Sequence, residues 1–278
     1  MLSFFIIIIV VSIIAGIIGS LVGVGGGIII IPILVLLFNI DIKTAIGASI
    51  VSVIATSSGA ASAYLKDNII NIKAGMFLEI ATTTGAISGA LILAIINPEF
   101  LLFIFATILI ISTYPMIKNI KVNNAENIEN DRIANYLKLN SSYYDTKSRE
   151  EIKYNITHTK LGLFIMYIAG LLSGLLGIGS GVFKVLAMDN VMKMPIKVST
   201  TTSNLMIGVT AAASATIYLV RGYINPYITL PVMIGIIIGA FIGTKLLFRT
   251  TNIYIKTIFI IVIFAISIEM ILRGLHIL

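Results

Sequence analysis

A lysine inside an apolar run, a glycine knot before it and hydroxyl residues after it are what this chain offers for chemistry. Lys184 closely follows Gly179-Ser180-Gly181. A charge there is costly in a membrane segment, and a cation near a helix start opposes the helix dipole. An anion bound beside Lys184 would offset both costs. The knot itself offers further donors. A helix restarting at about Val182 leaves the N–H groups of Ser180, Gly181 and Val182 without intrahelical partners, a setting that suits an anion. An earlier knot, Gly25-Gly26-Gly27, does the same ahead of a helix starting at about Ile28. Glycine also lets backbone approach a ligand with no side chain between. Two plainer readings compete: the glycines let helices pack closely, and Lys184 snorkels to the interface.

Hydroxyl residues follow each knot. Ser49, Ser52, Thr56, Ser57 and Ser58 follow the first; Ser199 to Asn204 follow the second. Ser49 and Ser203, with Thr202 and Asn204 beside the latter, are the candidates to hydrogen-bond an oxyanion without adding charge. Interhelical bonding is the alternative for most of them. Glu79, with Thr82, Thr83 and Thr84 nearby, is the one carboxylate well inside an apolar run. It is a candidate proton- or cation-coupling group, unless it lies at the interface.

The two knots belong to a repeat. At one constant offset and without a gap, Gly16, Gly23, Gly25 and Gly27 match Gly170, Gly177, Gly179 and Gly181. The register continues through Lys43/Lys197, Ser49/Ser203, Thr56/Thr210, Tyr64/Tyr218, Asn71/Asn225, Gly85/Gly239 and Gly89/Gly243. Ile30 stands where the second copy has Lys184, so the half-sites are not equivalent. Glycine breaks at matched positions in two hydrophobic halves point to a transporter site near the membrane midplane.

Composition fixes the setting for these residues. The chain is 58% hydrophobic and 11% charged, with a mean hydropathy of +1.06; soluble domains carry roughly 25% charged residues. Apolar segments run at about 2–22, 28–38, 42–64, 74–96, 99–117, 161–177, 181–188, 196–220, 226–247 and 252–272. Most approach the ~20 residues needed to cross a bilayer as helix. The alternating segments of a transmembrane barrel are missing. Residues 1–117 and 161–278 form two transmembrane repeats. The polar stretch 118–160 between them reads as a loop with some local helix. The N-terminal segment is read as retained, with no cleaved signal peptide.

The basic residues cluster at segment ends, so the net charge of +7 reads as topology and not as nucleic-acid binding. With 118–160 cytoplasmic and each knot turning the chain back, Lys66, Lys73, Lys193, Lys197, Lys245, Arg249 and Lys256 also fall inside. Only Lys43, Arg221 and Arg273 fall outside, with Lys184 within the membrane. That arrangement inverts the second repeat and puts both termini outside.

Enzyme chemistry finds no support. There is no cysteine, so thiol catalysis and cysteine metal sites are excluded. Neither histidine, His158 or His276, lies where it could serve as base to Ser180. No HExxH and no P-loop occurs. No cofactor and no metal site is expected.

A G-x-G-G-G-x4-P knot (Gly23, Gly25, Gly26, Gly27, Pro32) returns as Gly177, Gly179, Ser180, Gly181 and is followed by Lys and Ser/Thr-rich helices. This resembles the sulfite exporter TauE/SafE family of the toluene sulfonate uptake permease superfamily. The chain departs from the pattern at Ser180 and at Leu186, which stands in place of a proline. The resemblance implies an integral membrane permease for sulfite, sulfonates or other organosulfur anions.

The expected fold is all-α and polytopic: two inverted repeats, each a glycine-tipped re-entrant or broken helix followed by about three transmembrane helices. The tips meet near the midplane and hold an anion, with Lys184 supplying charge and Gly85/Gly239 points of flexure. The expected partners are a small anionic substrate and the lipid bilayer of the cell membrane, with no nucleic acid; a homo-oligomer is compatible. Two alternatives stand beside the alternating-access permease. One is a passive anion channel with the same site; the other is a membrane-anchored interaction protein acting through 118–160.

Overall fold

The computed structural model describes residues 2–22, 26–64, 69–117, 129–145, 150–247, 264 and 266–275. Helix α1 (Leu2–Val22) is followed by the short α2 (Gly27–Phe38), then α3 (Ile42–Tyr64), α4 (Ile72–Ile95) and α5 (Pro98–Ile117). The second half repeats this order as α7 (Thr159–Leu176), the short α8 (Gly181–Leu186), α9 (Ile196–Val220) and α10 (Pro226–Leu247). A helical segment, 266–274, lies near the end. The chain is a multi-pass helical membrane protein. Four of its helices, α4, α7, α9 and α10, are long and apolar enough to cross a bilayer among the described residues. Ile80, Met76 and Phe241 leave large apolar surface uncovered on the outside of the bundle, as a lipid-facing surface requires.

Each short helix returns the chain toward the start of the helix before it. Phe38, at the end of α2, packs edge-on against Phe4 near the start of α1, with ring centroids 5.7 Å apart. At the equivalent place in the second half, the Thr157 N–H donates to the Met192 carbonyl at 3.3 Å, just before α7. The return differs in one respect. α2 continues through Pro32 to Phe38, whereas α8 stops at Leu186 and opens into a π turn, Ala187–Val191.

Small residues then join the two halves. A Cβ on Gly85 or Gly170 would overlap the carbonyl oxygen of Tyr167 or Thr82, so α4 and α7 touch backbone to backbone. Gly239 and Gly16 stand in the same relation to Ile13 and Ile236, joining α10 to α1. These glycines are contact points inside helices. Flexure there would break the contact, so the expectation that Gly85 and Gly239 act as hinges gives way to packing. In both pairs the helices advance in the same direction. α3 and α9 run oppositely: Gly47 lies against Tyr223, and Gly208 against Ser57.

The polar connection is more structured than a loop. Within it lie α6 (Arg132–Tyr136) and an antiparallel hairpin of β1 (Ser141–Asp145) and β2 (Glu150–Tyr154), with Tyr143 opposite Ile152. The strands are polar and short, and their alternation is too weak to read from sequence. Ala134, Leu139, Tyr143, Tyr154 and Ile156 form one buried cluster with Met166 of α7, Met206 of α9 and Met188, Met192 and Met194 of the segment between α8 and α9. Methionine fills such irregular junctions well. The connection is thus a cap over one end of the bundle, while Phe4, Asn39 and Arg273 mark the other.

Asp131 pins this cap. Its carboxylate accepts from the Ala134 N–H at 2.7 Å and the Thr159 N–H at 2.6 Å, and also from the Thr159 hydroxyl. Burial alone would raise its pKa, but the bonds from Thr159 and the nearby amides outweigh that and hold the carboxyl below its ordinary value. Burial also pushes the Tyr154 phenol up to about 12, leaving it neutral to accept from Asn71 Nδ2 at 2.9 Å.

Candidate functional site

The two returning hairpins meet inside the bundle. Ser49, on α3, donates its hydroxyl to the Gly177 carbonyl at 2.8 Å. A Cβ on Gly27 would stand 2.6 Å from that hydroxyl and 3.2 Å from the Gly177 carbonyl. Hence the first tip, the second tip and Ser49 crowd one spot, and a side chain at Gly27 would force the Ser49 hydroxyl aside. Ser203, the repeat partner of Ser49, donates to the Gly181 carbonyl at 3.3 Å. Each hydroxyl has one proton to give, and both protons go to knot carbonyls. In this conformation the two serines hold the tips in position.

The second knot takes an unusual backbone path. Gly177 (φ +65°), Gly179 (φ +71°) and Ser180 (φ +47°) all lie in the left-handed region, which glycine occupies without strain and serine less readily. The Ser180 hydroxyl is buried without a hydrogen-bond partner. Such a group is costly in a closed core.

Lys184 is fully buried. Among the described residues its ammonium donates to Thr210 Oγ1 at 2.6 Å. Thr210 Oγ1 in turn lies 2.7 Å from Glu79 Oε1, positioned to donate to it. Thr83 donates to the same carboxylate oxygen at 3.0 Å. The outer oxygen, Glu79 Oε2, is buried and unpartnered. Glu79 lies two turns inside α4 and is 8% exposed, buried within the protein. The charge pair has no counterpart in the other half-site, where Ile30 and Met233 occupy the equivalent positions.

The remaining candidates are dispersed. Thr202 is buried near the cap, where its oxygen accepts from the Asn71 N–H at 3.1 Å. Asn204 is half-buried on α9. Gly26 caps α2, its carbonyl accepting from the Ile29 and Ile30 N–H groups. Gly25 lies outside the described residues. Thr210, which links Lys184 to Glu79, is not among the candidates that residue type singles out. Its one signal was the Thr56/Thr210 match between repeats, together with its position opposite a charged residue. At the other end of the bundle a crevice of about 290 Å³ is lined by Asn39, Asp41, Glu99 and Arg273. There Arg273 donates to the Val35 and Leu36 carbonyls and closes the end of α2.

Residues 8–270 match the family model described as sulfite exporter TauE/SafE. The chain belongs to that family. It is also similar to the probable membrane transporter protein YunE of Bacillus subtilis, 26% identical over 98% of both chains. YdhB of the same organism, likewise a probable membrane transporter protein, is 27% identical over 86% of this chain and 88% of its own. The archaeal relative MJ0441 of Methanocaldococcus jannaschii, named the same way, is 30% identical over 86% of this chain and 83% of its own. No solved structure matches. The family and these relatives support a membrane transporter.

Proposed function

We propose that the protein is a permease for a small anion, with sulfite or a sulfonate as the expected class, and that it works by alternating access. The observation that carries this reading is the fully buried Lys184 beside the meeting point of two glycine tips. A lysine in a membrane interior is retained for function far more readily than for stability. Gly26, Gly27, Gly179, Ser180 and Gly181 would let backbone approach the anion. Ser49 and Ser203 would hold the tips, and Thr202 and Asn204 would line the path toward the cap.

The two halves are read as inverted repeats. The hairpin returns at Phe4/Phe38 and at Thr157/Met192, and the opposed directions of α3 and α9, support that reading. One repeat rocking against the other would then expose the site to either side in turn. The cap is assigned to the cytoplasm and both termini to the outside, from the distribution of Lys and Arg. Single cysteines test this cleanly in a chain that has none. Tyr136→Cys in the cap is expected to react with an impermeant maleimide only in inside-out vesicles; reaction in right-side-out cells would reverse the assignment.

Function is tested by flux in proteoliposomes with sulfite, sulfate, sulfoacetate and taurine. Saturable flux of at least one anion, lost in Lys184→Ala, is expected. Flux linear with concentration would mark a channel. No flux of any of the four by folded protein would sink the anion reading.

A further inference from the structure

We propose that Glu79, Thr210 and Lys184 form a proton-linked anion site that carries a singly charged anion together with one proton. This deepens the permease reading and rests on it. In the structure the group is closed on itself: ammonium to hydroxyl at 2.6 Å, hydroxyl to carboxylate at 2.7 Å. Lysine and glutamate charges cancel, which is what a low-dielectric interior requires. An anion arriving at Lys184 while Glu79 is ionised would leave the site with a net negative charge. If a proton from the aqueous side settles on Glu79, the sum returns to zero.

The carboxylate is built for that proton. Oε1 is held by Thr83 and Thr210, while Oε2 is buried with no partner. The proton lands on Oε2, no covalent bond to carbon, sulfur or nitrogen changes, and Oε1 keeps its two donors. Neutral Glu79 no longer competes for the lysine. Lys184 has three N–H donors, and the unpartnered Ser180 hydroxyl lies a turn before it on the same hairpin. Together they offer an anion both charge and a hydrogen bond.

The surrounding titratable groups stand apart from this exchange. α4 itself carries Lys73, exposed near its start. From α7, Lys160 lies in the first turn, and Tyr167 donates to Ser88. From α9, Lys197 lies in the first turn toward the cap, and Tyr218 donates to the Gly174 carbonyl. Asp189 of the π turn has Lys193 as its charged neighbour.

Charge balance also sets specificity. A doubly charged anion leaves one uncompensated negative charge even with Glu79 protonated, so a monoanion is the preferred class. Methanesulfonate, singly charged across the neutral range, and sulfate, doubly charged, separate the cases without titrating themselves. Calorimetric titration of the full-length protein in nanodiscs at pH 7, in two buffers of different ionisation heat, counts protons per anion. About one proton taken up per methanesulfonate is expected, with sulfate at least tenfold weaker, a factor that equals about 1.4 kcal/mol. Glu79→Gln, whose amide oxygen can still accept from Thr83 and Thr210, is expected to bind methanesulfonate with no proton uptake. A wild-type count near zero, an unchanged count in Glu79→Gln, or sulfate binding as tightly as methanesulfonate would each overturn the proposal. The wild-type count needs no variant, so a poorly folding Glu79→Gln does not leave the matter open. Anion binding without proton uptake leaves the permease standing. Failure of both probes to bind overturns this inference alone, unless the four-anion flux test also fails.

Discussion

Lys184 and Glu79 come from opposite halves of the chain and are joined by the single hydroxyl of Thr210. Glu79 belongs to α4 of the first half, while Lys184 and Thr210 belong to α8 and α9 of the second. The link therefore spans the two halves.

Breaking the pair should cost more than removing it. Lys184→Met leaves Glu79 buried without its counter-charge, a loss of roughly 3–5 kcal/mol in comparable buried pairs. The double variant Lys184→Met/Glu79→Met should recover most of that stability while remaining inactive in flux. Melting temperatures in detergent check this, and equal melting of the single and double variants would refute it.

The tip contact makes a second prediction. Gly27→Ala places a methyl 2.6 Å from Ser49 Oγ, and overpacking of this kind costs roughly 1–3 kcal/mol. Gly27→Ala should abolish flux. Ser49→Ala, which loses one hydrogen bond worth about 1 kcal/mol, should be mild and should partly rescue Gly27→Ala. Independent, additive effects in that double-mutant cycle would argue against a shared contact.

Helix contacts inside the bundle supply a third. Gly85→Ala and its repeat equivalent Gly239→Ala both drive a methyl into a carbonyl oxygen, and both should destabilise. Gly222→Ala meets nothing within 4 Å at φ +74°, so its cost is only the left-handed strain of roughly 1–2 kcal/mol. The comparison fails if Gly222→Ala is the most damaging of the three.

A fourth concerns acid. The Asp131 carboxyl is held below its ordinary value of 3.8. A depressed carboxyl contributes stability that is present above the unfolded-state value and lost as pH falls through the folded one. The cap should stay anchored at neutral pH and loosen only below about pH 4. Hydrogen exchange at the Ala134 and Thr159 amides reads this directly. Asp131→Asn should speed both at pH 7, and unchanged exchange would remove Asp131 as the anchor.

Much of the fold was legible because a membrane helix declares itself by length and apolarity. The segments read from sequence and the helices differ by only a residue or two at most ends. The matched asparagines both stand at helix starts: Asn71 caps α4 by accepting from the Ala74 N–H, and Asn225 accepts from the Tyr227 N–H just inside α10. The cap was not legible, since strands such as Ser141–Asp145 are polar throughout and become strands by pairing. Nor was the π turn after Leu186, which falls partly inside an apolar segment read as running over 181–188. At the site, Lys184 stood out as a charge in an apolar run. Thr210 did not, because a threonine in a helix usually bonds its own preceding turn. Thr210 is within reach of its own turn too, 2.8 Å from the Met206 carbonyl, and the packing of α4 on α9 brings the same hydroxyl against Glu79.

The backbone contact between Gly16 and Gly239 also sets an order of assembly. The first helix leaves the ribosome with its partner surface still some 220 residues away, a delay on the order of 10–40 s at ordinary rates of synthesis. Until α10 arrives, the glycine face of α1 has only lipid or another protein to cover it. Neither half can close alone, so separately expressed halves should accumulate only when made together, as the two subunits of an obligate dimer would.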